Sequence, residues 1–305
     1  MASPSILLIG AGELGTAVLE SLATHPKRNG GSITILLRQS SISSQDPGKK
    51  AQNDRLKSLG ATFEAGDLAN DSVGQLAEVF KKYHTIISCS GFGLPSGTQI
   101  KLTQAVLQAK VKRYLPWQWG IDYDAVGGGS AQDLFDEQLQ VRSLLRAQQD
   151  TDWIIVSTGL FMSFLFLPAF GVVDLQERKL RALGSWDSKL SLTTAKDIGR
   201  MAAEVVYDPR GVSHQVVYIA GDTVTYSRVA ELVESRFGGT WTKEVWSGDF
   251  LKGQLKEKPD DGMLKYTNVW AVGRGVAWDI EKTLNGQRGI QLQGLESYLK
   301  EMPDL

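Results

Sequence analysis

A glycine-rich turn near the N-terminus constrains the fold of this 305-residue chain more than any other feature. The segment Gly10–Gly15 has the sequence Gly-Ala-Gly-Glu-Leu-Gly and directly follows the short apolar run Ile6–Ile9. Leu14, Val18 and Leu22 then repeat at the spacing of one helix face. A strand, a G-x-G-x-x-G turn and a helix in this order are typical of the first β-α unit of a dinucleotide-binding fold. The alternative is a glycine-rich turn that binds no ligand.

Each glycine of the turn has its own predicted role. Gly10 permits the tight turn, Gly12 lets a pyrophosphate approach the backbone, and Gly15 allows the helix to pack closely on the strand. The first helical residues, Glu13 and Leu14, present free N–H groups and a partial positive charge to the phosphates. We therefore predict that these residues bind the cofactor.

Strands and helices alternate through the first half of the chain. Short apolar runs predict strands at 6–9, 32–37, 60–64, 85–88, 113–115 and 153–156. The patterns between them predict helices at 50–59, 71–82, 99–109 and 131–148. Strands separated by helices of this length predict an α/β protein with a Rossmann-type, doubly wound parallel sheet.

The second half of the chain is less regular. Its patterns predict a helix at 198–206, a strand at 216–219 and a helix at 226–237. We assign residues 1–158 to the dinucleotide-binding Rossmann domain. Residues 159–305 are expected to form a smaller α/β substrate-binding region that is partly interleaved with the Rossmann sheet.

The composition is that of an ordinary globular protein, with 42% hydrophobic and 22% charged residues and a net charge of −1. This balance argues against nucleic acid as a partner. Cys89 is the single cysteine, which excludes an internal disulfide framework. The apolar runs are shorter than the roughly 20 residues of a membrane span, and the residues before the first strand leave no room for a signal peptide. We expect a cytoplasmic protein that does not bind membranes.

The end of the second predicted strand decides between NAD and NADP. NAD-binding folds place an Asp or Glu there for the ribose 2′-hydroxyl. Here the strand leads into Arg38, Ser40 and Ser41, and Lys49 and Lys50 follow in the next loop; of these, Arg38, Ser40 and Lys50 are our cofactor-binding candidates. A guanidinium holds a 2′-phosphate in two-point geometry, and neighbouring hydroxyl groups assist. We therefore predict NADPH/NADP+ as the cofactor; the alternative is an exposed arginine in a solvated loop.

The loops after the third and fourth strands supply the remaining cofactor-binding candidates. Asp67 and Leu68 are expected near the adenine, where Asp67 either accepts a hydrogen bond from the ring amine or caps the next helix. Ser90, Gly91 and Phe92 follow the fourth strand, and the carboxyl ends of parallel strands line the ligand crevice. Ser90 and Gly91 are expected at the nicotinamide-side ribose, and Phe92 is counted with them as cofactor-binding.

The common catalytic arrangements are missing from the sequence. None of the eight tyrosines has a lysine four residues later, so the Tyr-x-x-x-Lys pair of typical short-chain dehydrogenases is absent. The three histidines are scattered, which argues against a metal site. The order of residues suggests no Ser/His/Asp arrangement either.

Several segments together resemble the NmrA-like and isoflavone-reductase-like family of atypical short-chain dehydrogenases. These segments are Gly10–Gly15, Arg38, Val111–Gly120 and Val156–Phe161. The resemblance extends over nearly the whole chain, and Leu115–Asp124 resembles fungal members linked to secondary metabolism. It implies a Rossmann domain, bound NADPH and a smaller C-terminal substrate domain.

The resemblance also identifies a departure at a catalytic position. Plant reductases of the family carry a lysine on the helix after the fifth strand, and matching Val141–Arg142 to the family's Val-Arg pair puts Gln138 at that position. Glutamine donates and accepts hydrogen bonds but cannot act as a base. Gln138 shares a helical stripe with Leu134 and Leu145 and is expected to face inward, with a core glutamine bonded to a backbone carbonyl as the alternative. We name Gln138 and Tyr123 as candidate catalytic residues.

Aromatic residues are the candidates for substrate binding. Trp117 and Trp119 alternate, so they share one face of an extended chain. Tyr123 follows them, and Phe161 and Phe164 come after the sixth strand. Such a wall suits a flat, largely apolar substrate, whereas core packing is the alternative for each single aromatic residue.

We therefore predict an NADPH-dependent reductase that transfers hydride to an activated C=N, C=C or C=O bond of a hydrophobic aromatic or alkaloid-like secondary metabolite. An electrophilic substrate needs little acid or base assistance, which agrees with the missing Tyr-x-x-x-Lys pair. One alternative is an NADPH-bound cyclase that uses transient redox chemistry or pocket shape. The other is an NADP-sensing regulatory protein without turnover. The expected partner is a small hydrophobic molecule, bound by a monomer or homodimer.

Overall fold

The structure is a computed structural model that describes residues 4–304. Numbered in chain order, the β-strands of these residues are β1 Ile6–Ile9, β2 Ile33–Leu37, β3 Ala61–Ala65, β4 Thr85–Ser88, β5 Arg113–Leu115, β6 Asp152–Ser157, β7 Leu160–Phe161, β8 Val173–Asp174, β9 Lys179–Leu183, β10 Lys189–Thr193, β11 Gln215–Tyr218, β12 Asp222–Thr225 and β13 Thr242–Trp246. The α-helices are α1 Glu13–Thr24, α2 Gln39–Ile42, α3 Pro47–Ser58, α4 Val73–Phe80, α5 Thr98–Gln108, α6 Tyr123–Val126, α7 Asp133–Arg146, α8 Ala195–Tyr207, α9 Tyr226–Phe237, α10 Gly248–Glu257, α11 Gly262–Val272, α12 Leu284–Arg288 and α13 Leu295–Glu301.

The largest sheet has the strand order β11-β6-β5-β4-β1-β2-β3. Every pair from β3 to β6 along this order is parallel, and Ile6 of β1 is in register with Ile33 of β2 and Thr85 of β4. The chain builds β1, β2 and β3 outward and then returns to start β4 on the other side of β1. The topological switch point therefore lies between β1 and β4, and the prediction of a doubly wound α/β fold is confirmed.

The central strands are apolar because helices cover both faces of the sheet. All four residues of β1 are fully buried, as are Ile86 and Ile87 of β4. One face packs against α4, α5 and α7 in a core that contains Leu7, Ile9, Leu36, Leu76, Phe80, Ile86, Leu102, Val106, Tyr114, Val141, Leu145, Trp153 and Ile155. This continuous apolar core fixes the strand ends from which the loops of the site emerge.

The described chain divides into two compact units. The first, called here the sheet unit, contains the residues up to Gln118 together with Glu137–Val156 and Ile198–Val216. The second unit contains Trp119–Asp136, Ser157–Asp197 and the residues from Val217 onward. The sequence alone predicts one boundary, between 158 and 159, with partial interleaving. In the structure several segments alternate between the units because α7, β6 and α8 join the sheet unit late in the chain.

The second unit has two small sheets of its own. In the sheet β12-β10-β7, β10 pairs antiparallel with β12 and parallel with β7. In the sheet β13-β9-β8, β9 pairs parallel with β13 and antiparallel with β8. Sequence patterns did not predict these strands; two of them, β7 and β8, have only two residues each. No helix within residues 4–304 combines the length and the apolar character that crossing a bilayer requires.

Helices α1 and α8 of the sheet unit pack in close contact. Gly199 of α8 is buried, and a Cβ atom built there would lie 2.3 Å from the carbonyl oxygen of Ala17 in α1. The atom in the way belongs to the backbone of α1, which cannot move aside as the end of a flexible side chain can. Helix α8 can therefore approach α1 this closely only with glycine at residue 199. Gly74 of α4 differs, since a Cβ atom there would meet nothing within 4 Å.

We expect Gly199→Ala to lower the free energy of unfolding by roughly 1–3 kcal/mol, because the added methyl forces α8 and α1 apart. Gly74→Ala is the matched control, and it should be neutral or stabilise by up to about 1 kcal/mol through helix propensity. Urea unfolding of both variants measures the difference. A Gly199→Ala protein as stable as Gly74→Ala would contradict the close contact of α1 with α8.

Candidate functional site

A cleft of about 510 Å³ lies at the carboxyl ends of β1, β2, β3 and β4 within the sheet unit. The segments that follow these strands line it: residues 10–12, 36–38, 66–69, 90 and 93–95, with Ser41, Lys49 and Gln52. Open α/β sheets bind ligands at this place, outside the switch point between two strands. The cleft is therefore the candidate dinucleotide site.

The glycine-rich turn forms the centre of the cleft, and its three glycines differ in what surrounds them. Gly10 has φ +96°, and a Cβ atom there would lie 2.0 Å from the Oγ of Ser90. A Cβ atom at Gly15 would lie 2.2 Å from the carbonyl oxygen of Gly10. Around Gly12 nothing comes within 4 Å of that position. Gly10 and Gly15 thus allow close packing, whereas Gly12 leaves open the space that a pyrophosphate would need.

Helix α1 starts at the edge of this open space. Its N-cap is Gly12, which has no side chain to accept bonds from the first N–H groups of the helix. Glu13 is exposed and Leu14 is buried in the core, and neither side chain lines the cleft. What Glu13 and Leu14 offer at this edge of the cleft is their backbone N–H groups.

The corner after β2 carries positive charge. Arg38 is exposed and lines the cleft together with Ser41 and Lys49. The predicted residues Ser40 and Lys50 do not line it, and their neighbours take those places. The reason is helical geometry: Gln39–Ile42 forms α2 and Pro47–Ser58 forms α3, so the phase of each helix decides which side chain faces the cleft.

Asp67 and Leu68 both line the cleft after β3. The Asp67 carboxylate accepts hydrogen bonds from the side chain of Asn70 and from the backbone N–H of Ala69, both at 2.9 Å. These bonds, with the nearby Arg38 guanidinium, hold the pKa of Asp67 below its usual value. Asp67 therefore stabilises the turn after β3, while Ser72 caps the following helix α4.

The loop after β4 contains three predicted cofactor-binding residues in different surroundings. Ser90 lines the cleft. Gly91 does not; it is buried, and a Cβ atom there would lie 2.0 Å from Cδ2 of Trp117. Phe92 also lies outside the lining, is 60% exposed, and meets the Trp117 ring edge to face at 5.3 Å. Trp117 thus packs over this loop.

Trp117 and Trp119 do not continue an extended strand. The backbone N–H of Gln118 donates to the carbonyl of Pro116 at 2.8 Å, which makes a tight three-residue turn. The prediction that alternation puts both indoles on one face of an extended chain is therefore wrong. Trp117 belongs to the sheet unit, and Trp119, only 8% exposed, belongs to the second unit.

A buried carboxylate that the sequence did not reveal holds the start of α5. Glu137 of α7 is 6% exposed, and its two oxygens accept backbone N–H bonds from Gly97 at 3.1 Å, Gln99 at 2.6 Å and Ile100 at 3.3 Å. The N-cap residue Gly97 offers no side chain, so Glu137 replaces the missing cap. The side chain of Gln99 in turn donates to the carbonyl of Ser90 at 3.0 Å. Glu137 and Gln99 thus fix the β4 loop.

Gln138, the candidate catalytic residue, is 1% exposed, as expected from its helical stripe. Its carbonyl accepts a bond from the Gln118 side chain at 2.9 Å, and Gln118 also accepts from Nε of Arg142 at 2.8 Å. The side-chain amide of Gln138 is different: within the described residues neither its nitrogen nor its oxygen has a hydrogen-bond partner. The alternative of a core glutamine bonded to a backbone carbonyl is therefore not what the structure contains.

The other aromatic candidates join a cluster inside the second unit. Phe161 meets Phe164 at 6.1 Å, Phe164 meets Tyr266 at 6.3 Å, and Tyr123 meets Phe135 at 5.0 Å. Burial raises the pKa of the Tyr266 phenol above its ordinary value, so that group stays protonated. Tyr123 is itself buried, and its hydroxyl lies 3.3 Å from the Cβ position of Gly120.

A Ser-His-Asp cluster, which the sequence did not suggest, lies at the opposite end of the sheet. The Ser213 hydroxyl is 2.7 Å from Oδ1 of Asp152 and 2.9 Å from Nδ1 of His214. A catalytic triad needs the serine on Nε2 and the carboxylate on Nδ1. Here the serine lies on Nδ1, so this cluster does not have the geometry of a triad. Asp152 also pairs with Arg113 at 2.8 Å, so the cluster connects β5, β6 and the segment before β11.

The described residues contain no group of three or more His, Cys, Asp or Glu that could hold a metal ion.

Comparison with known proteins identifies relatives over the whole chain. The model of the NmrA-like family matches residues 3–273. An "NmrA-like family domain-containing oxidoreductase" from Gibberella moniliformis (strain M3125 / FGSC 7600) is 54% identical over 302 residues, which cover 98% of each chain. The binary complex of leucoanthocyanidin reductase with NADPH from Vitis vinifera superposes with a TM-score of 0.78 at 19% identity, covering 97% of this chain and 98% of that one. An isoflavone reductase structure gives 0.72 at 20% identity, with 100% and 97% covered. These two structures show a shared fold.

We expect Glu137→Ala to destabilise the protein by roughly 1–3 kcal/mol, because it leaves the first N–H groups of α5 buried without acceptors. Glu137→Gln should recover part of the loss, since its amide oxygen still accepts. Glu78→Ala, an exposed helical glutamate, is the control and should change stability by less than about 0.5 kcal/mol. Urea unfolding with hydrogen exchange at α5 measures the effect. Unchanged exchange at α5 in Glu137→Ala would contradict the cap.

Proposed function

The chain belongs to the NmrA-like family, and on that premise we propose that it is an NADPH-dependent oxidoreductase. The observation that carries the proposal is the cleft, which joins an open glycine turn at Gly12 to a basic corner at Arg38 and Lys49. The Gibberella moniliformis relative is named an oxidoreductase, and the Vitis vinifera reductase of similar fold is a complex with NADPH.

The residues of the cleft match the chemistry of NADPH group by group. The pyrophosphate would occupy the space at Gly12 and accept bonds from the first N–H groups of α1. The 2′-phosphate would meet the guanidinium of Arg38, the hydroxyl of Ser41 and the ammonium of Lys49. Leu68 offers apolar surface for the adenine. When bound, NADPH would supply the hydride.

Gln138 would supply the polar contact at the substrate. A buried amide without partners loses its hydration and gains no bond in return, which supports a role for it toward a ligand. We propose that its N–H donates to the substrate atom on which negative charge develops. An amide cannot transfer a proton at neutral pH, so the substrate bond must already be electrophilic: C=N, C=C or C=O. Tyr123 is the second candidate for a polar contact.

The substrate class follows from the aromatic side chains. Phe161, Phe164, Tyr123 and Tyr266 give the second unit a cluster of planar apolar groups, and Trp117 and Phe92 give the sheet unit a further pair. Rings of this kind stack on or meet edgewise other rings, which favours a flat, largely apolar substrate. We propose an aromatic or alkaloid-like secondary metabolite.

Turnover assays separate this function from its alternatives. A reductase consumes NADPH in proportion to product. A cyclase forms product without net consumption of NADPH, and a regulatory protein binds NADPH without turnover. Assays with a panel of aromatic imines, enones and quinones, followed by absorbance at the nicotinamide band, therefore test the proposal directly.

One test of the proposed function concerns cofactor choice. We expect the protein to bind NADPH much more tightly than NADH, and Arg38→Glu to cost roughly 2–4 kcal/mol of NADPH affinity through a lost charge-assisted pair and added repulsion. Lys252→Glu, an equal charge change at an exposed site of α10, is the control and should leave the affinity within about twofold. Calorimetry measures both. Equal affinity of the unmodified protein for NADH and NADPH would contradict the assignment of NADPH as the preferred cofactor.

Another test separates the catalytic role of Gln138 from its effect on stability. Gln138→Leu removes a buried amide without partners, so the stability should stay constant or rise. Turnover should fall roughly 10–100-fold, the scale of one lost transition-state hydrogen bond, while NADPH affinity persists. Thermal unfolding, calorimetry and steady-state kinetics measure the three quantities. A stable Gln138→Leu enzyme with full turnover would show that the amide has no catalytic part.

A further inference from the structure

Helix α3 connects two of the segments that line the cleft. Asp46 caps the helix by accepting the backbone N–H of Lys49 at 2.8 Å. One turn later, the buried Asn53 donates to the carbonyl of Ser41 at 2.9 Å. Its neighbour Gln52 donates through Nε2 to the carbonyl of Ala11 at 2.8 Å. Helix α3 thus contacts both the corner after β2 and the glycine-rich turn after β1.

Gln52 also makes a second bond inside the cleft. The Lys49 ammonium donates to Oε1 of Gln52 at 3.0 Å. A lysine has only donors and a backbone carbonyl only accepts, so the two bonds require this one orientation of the amide. The ammonium has three N–H groups, and the bond to Gln52 directs it while two remain for an anion. Lysine is otherwise a flexible side chain that loses much rotamer freedom when a ligand orders it.

We propose that Gln52 is a positioning residue for cofactor choice: it holds the Lys49 ammonium in place for a 2′-phosphate and ties that lysine to the glycine-rich turn through Ala11. This inference rests on the proposed NADPH function and adds a residue that acts through its bonds to Lys49 and Ala11. The bond to Lys49 affects only a ligand with a 2′-phosphate. The bond to Ala11 affects the turn, and hence NADPH and NADH alike.

The ratio of the NADH and NADPH dissociation constants isolates the bond to Lys49. In the full chain, we expect Gln52→Leu to lower this ratio roughly threefold to tenfold, the scale of one net hydrogen bond. Gln52→Glu should lower it further, because the carboxylate pairs with Lys49 and repels the phosphate. Gln140→Leu, an exposed glutamine of α7, is the matched control and should leave the ratio unchanged. Calorimetric titration with NADPH and NADH measures each ratio.

A double-mutant cycle tests whether Gln52 acts through Lys49. Lys49→Met should lower the ratio by about tenfold or more, since it removes a charge-assisted contact. Adding Gln52→Leu to Lys49→Met should then change the ratio by less than about twofold, because the group being positioned is gone. Additive effects, or an unchanged ratio in Gln52→Leu, would overturn the role of Gln52 while leaving the NADPH function intact. Failure of the unmodified protein to bind either dinucleotide would overturn the proposed function itself, and this inference with it.

Discussion

The site of the sheet unit depends on close packing around the turn that follows β1 at the switch point. The Oγ of Ser90 lies 2.0 Å from where a Cβ atom of residue 10 would be, and the carbonyl of Gly10 lies 2.2 Å from the Cβ position of residue 15. Together these contacts fix the path of the turn after β1 and the start of α1. The same path leaves Gly12 facing open space at the helix N-terminus. One packing constraint therefore creates both the room and the donors that an anionic ligand needs.

Side chains from neighbouring helices hold the loops around this turn. Asn53 and Gln52 of α3 bond the carbonyls of Ser41 and Ala11, and Gln99 of α5 bonds the carbonyl of Ser90. Loop backbone has few apolar contacts and opens easily unless it is tied to rigid elements. The helices, by contrast, are packed on a continuous core. The loops thus take their positions from the core, and a ligand meets a site that requires little ordering when it binds.

Local patterns in the sequence predicted the parts of the structure that depend on local spacing. The strands β1, β4 and β5 have the predicted bounds, because apolar runs between helices leave few other arrangements. Side-chain direction was harder to predict. Ser41 and Lys49 line the cleft in place of Ser40 and Lys50, because the phase of α2 and of α3 decides which of two neighbouring side chains faces the cleft. Contacts far apart in sequence, such as Glu137 with the start of α5, have no periodicity to reveal them.

Gln138 is a buried polar residue whose side chain gains little from folding. Its neighbours Gln118 and Arg142 bond each other, and the Gln118 side chain satisfies the carbonyl of Gln138. The side-chain amide of Gln138 forms no hydrogen bond within the described residues, although it is almost fully buried. A leucine of similar size would avoid that desolvation, so stability alone does not account for a glutamine here. A neutral amide keeps its donor and acceptor at every pH at which the protein is folded. It can therefore donate or accept a hydrogen bond at any such pH, but it cannot serve as a proton donor or base.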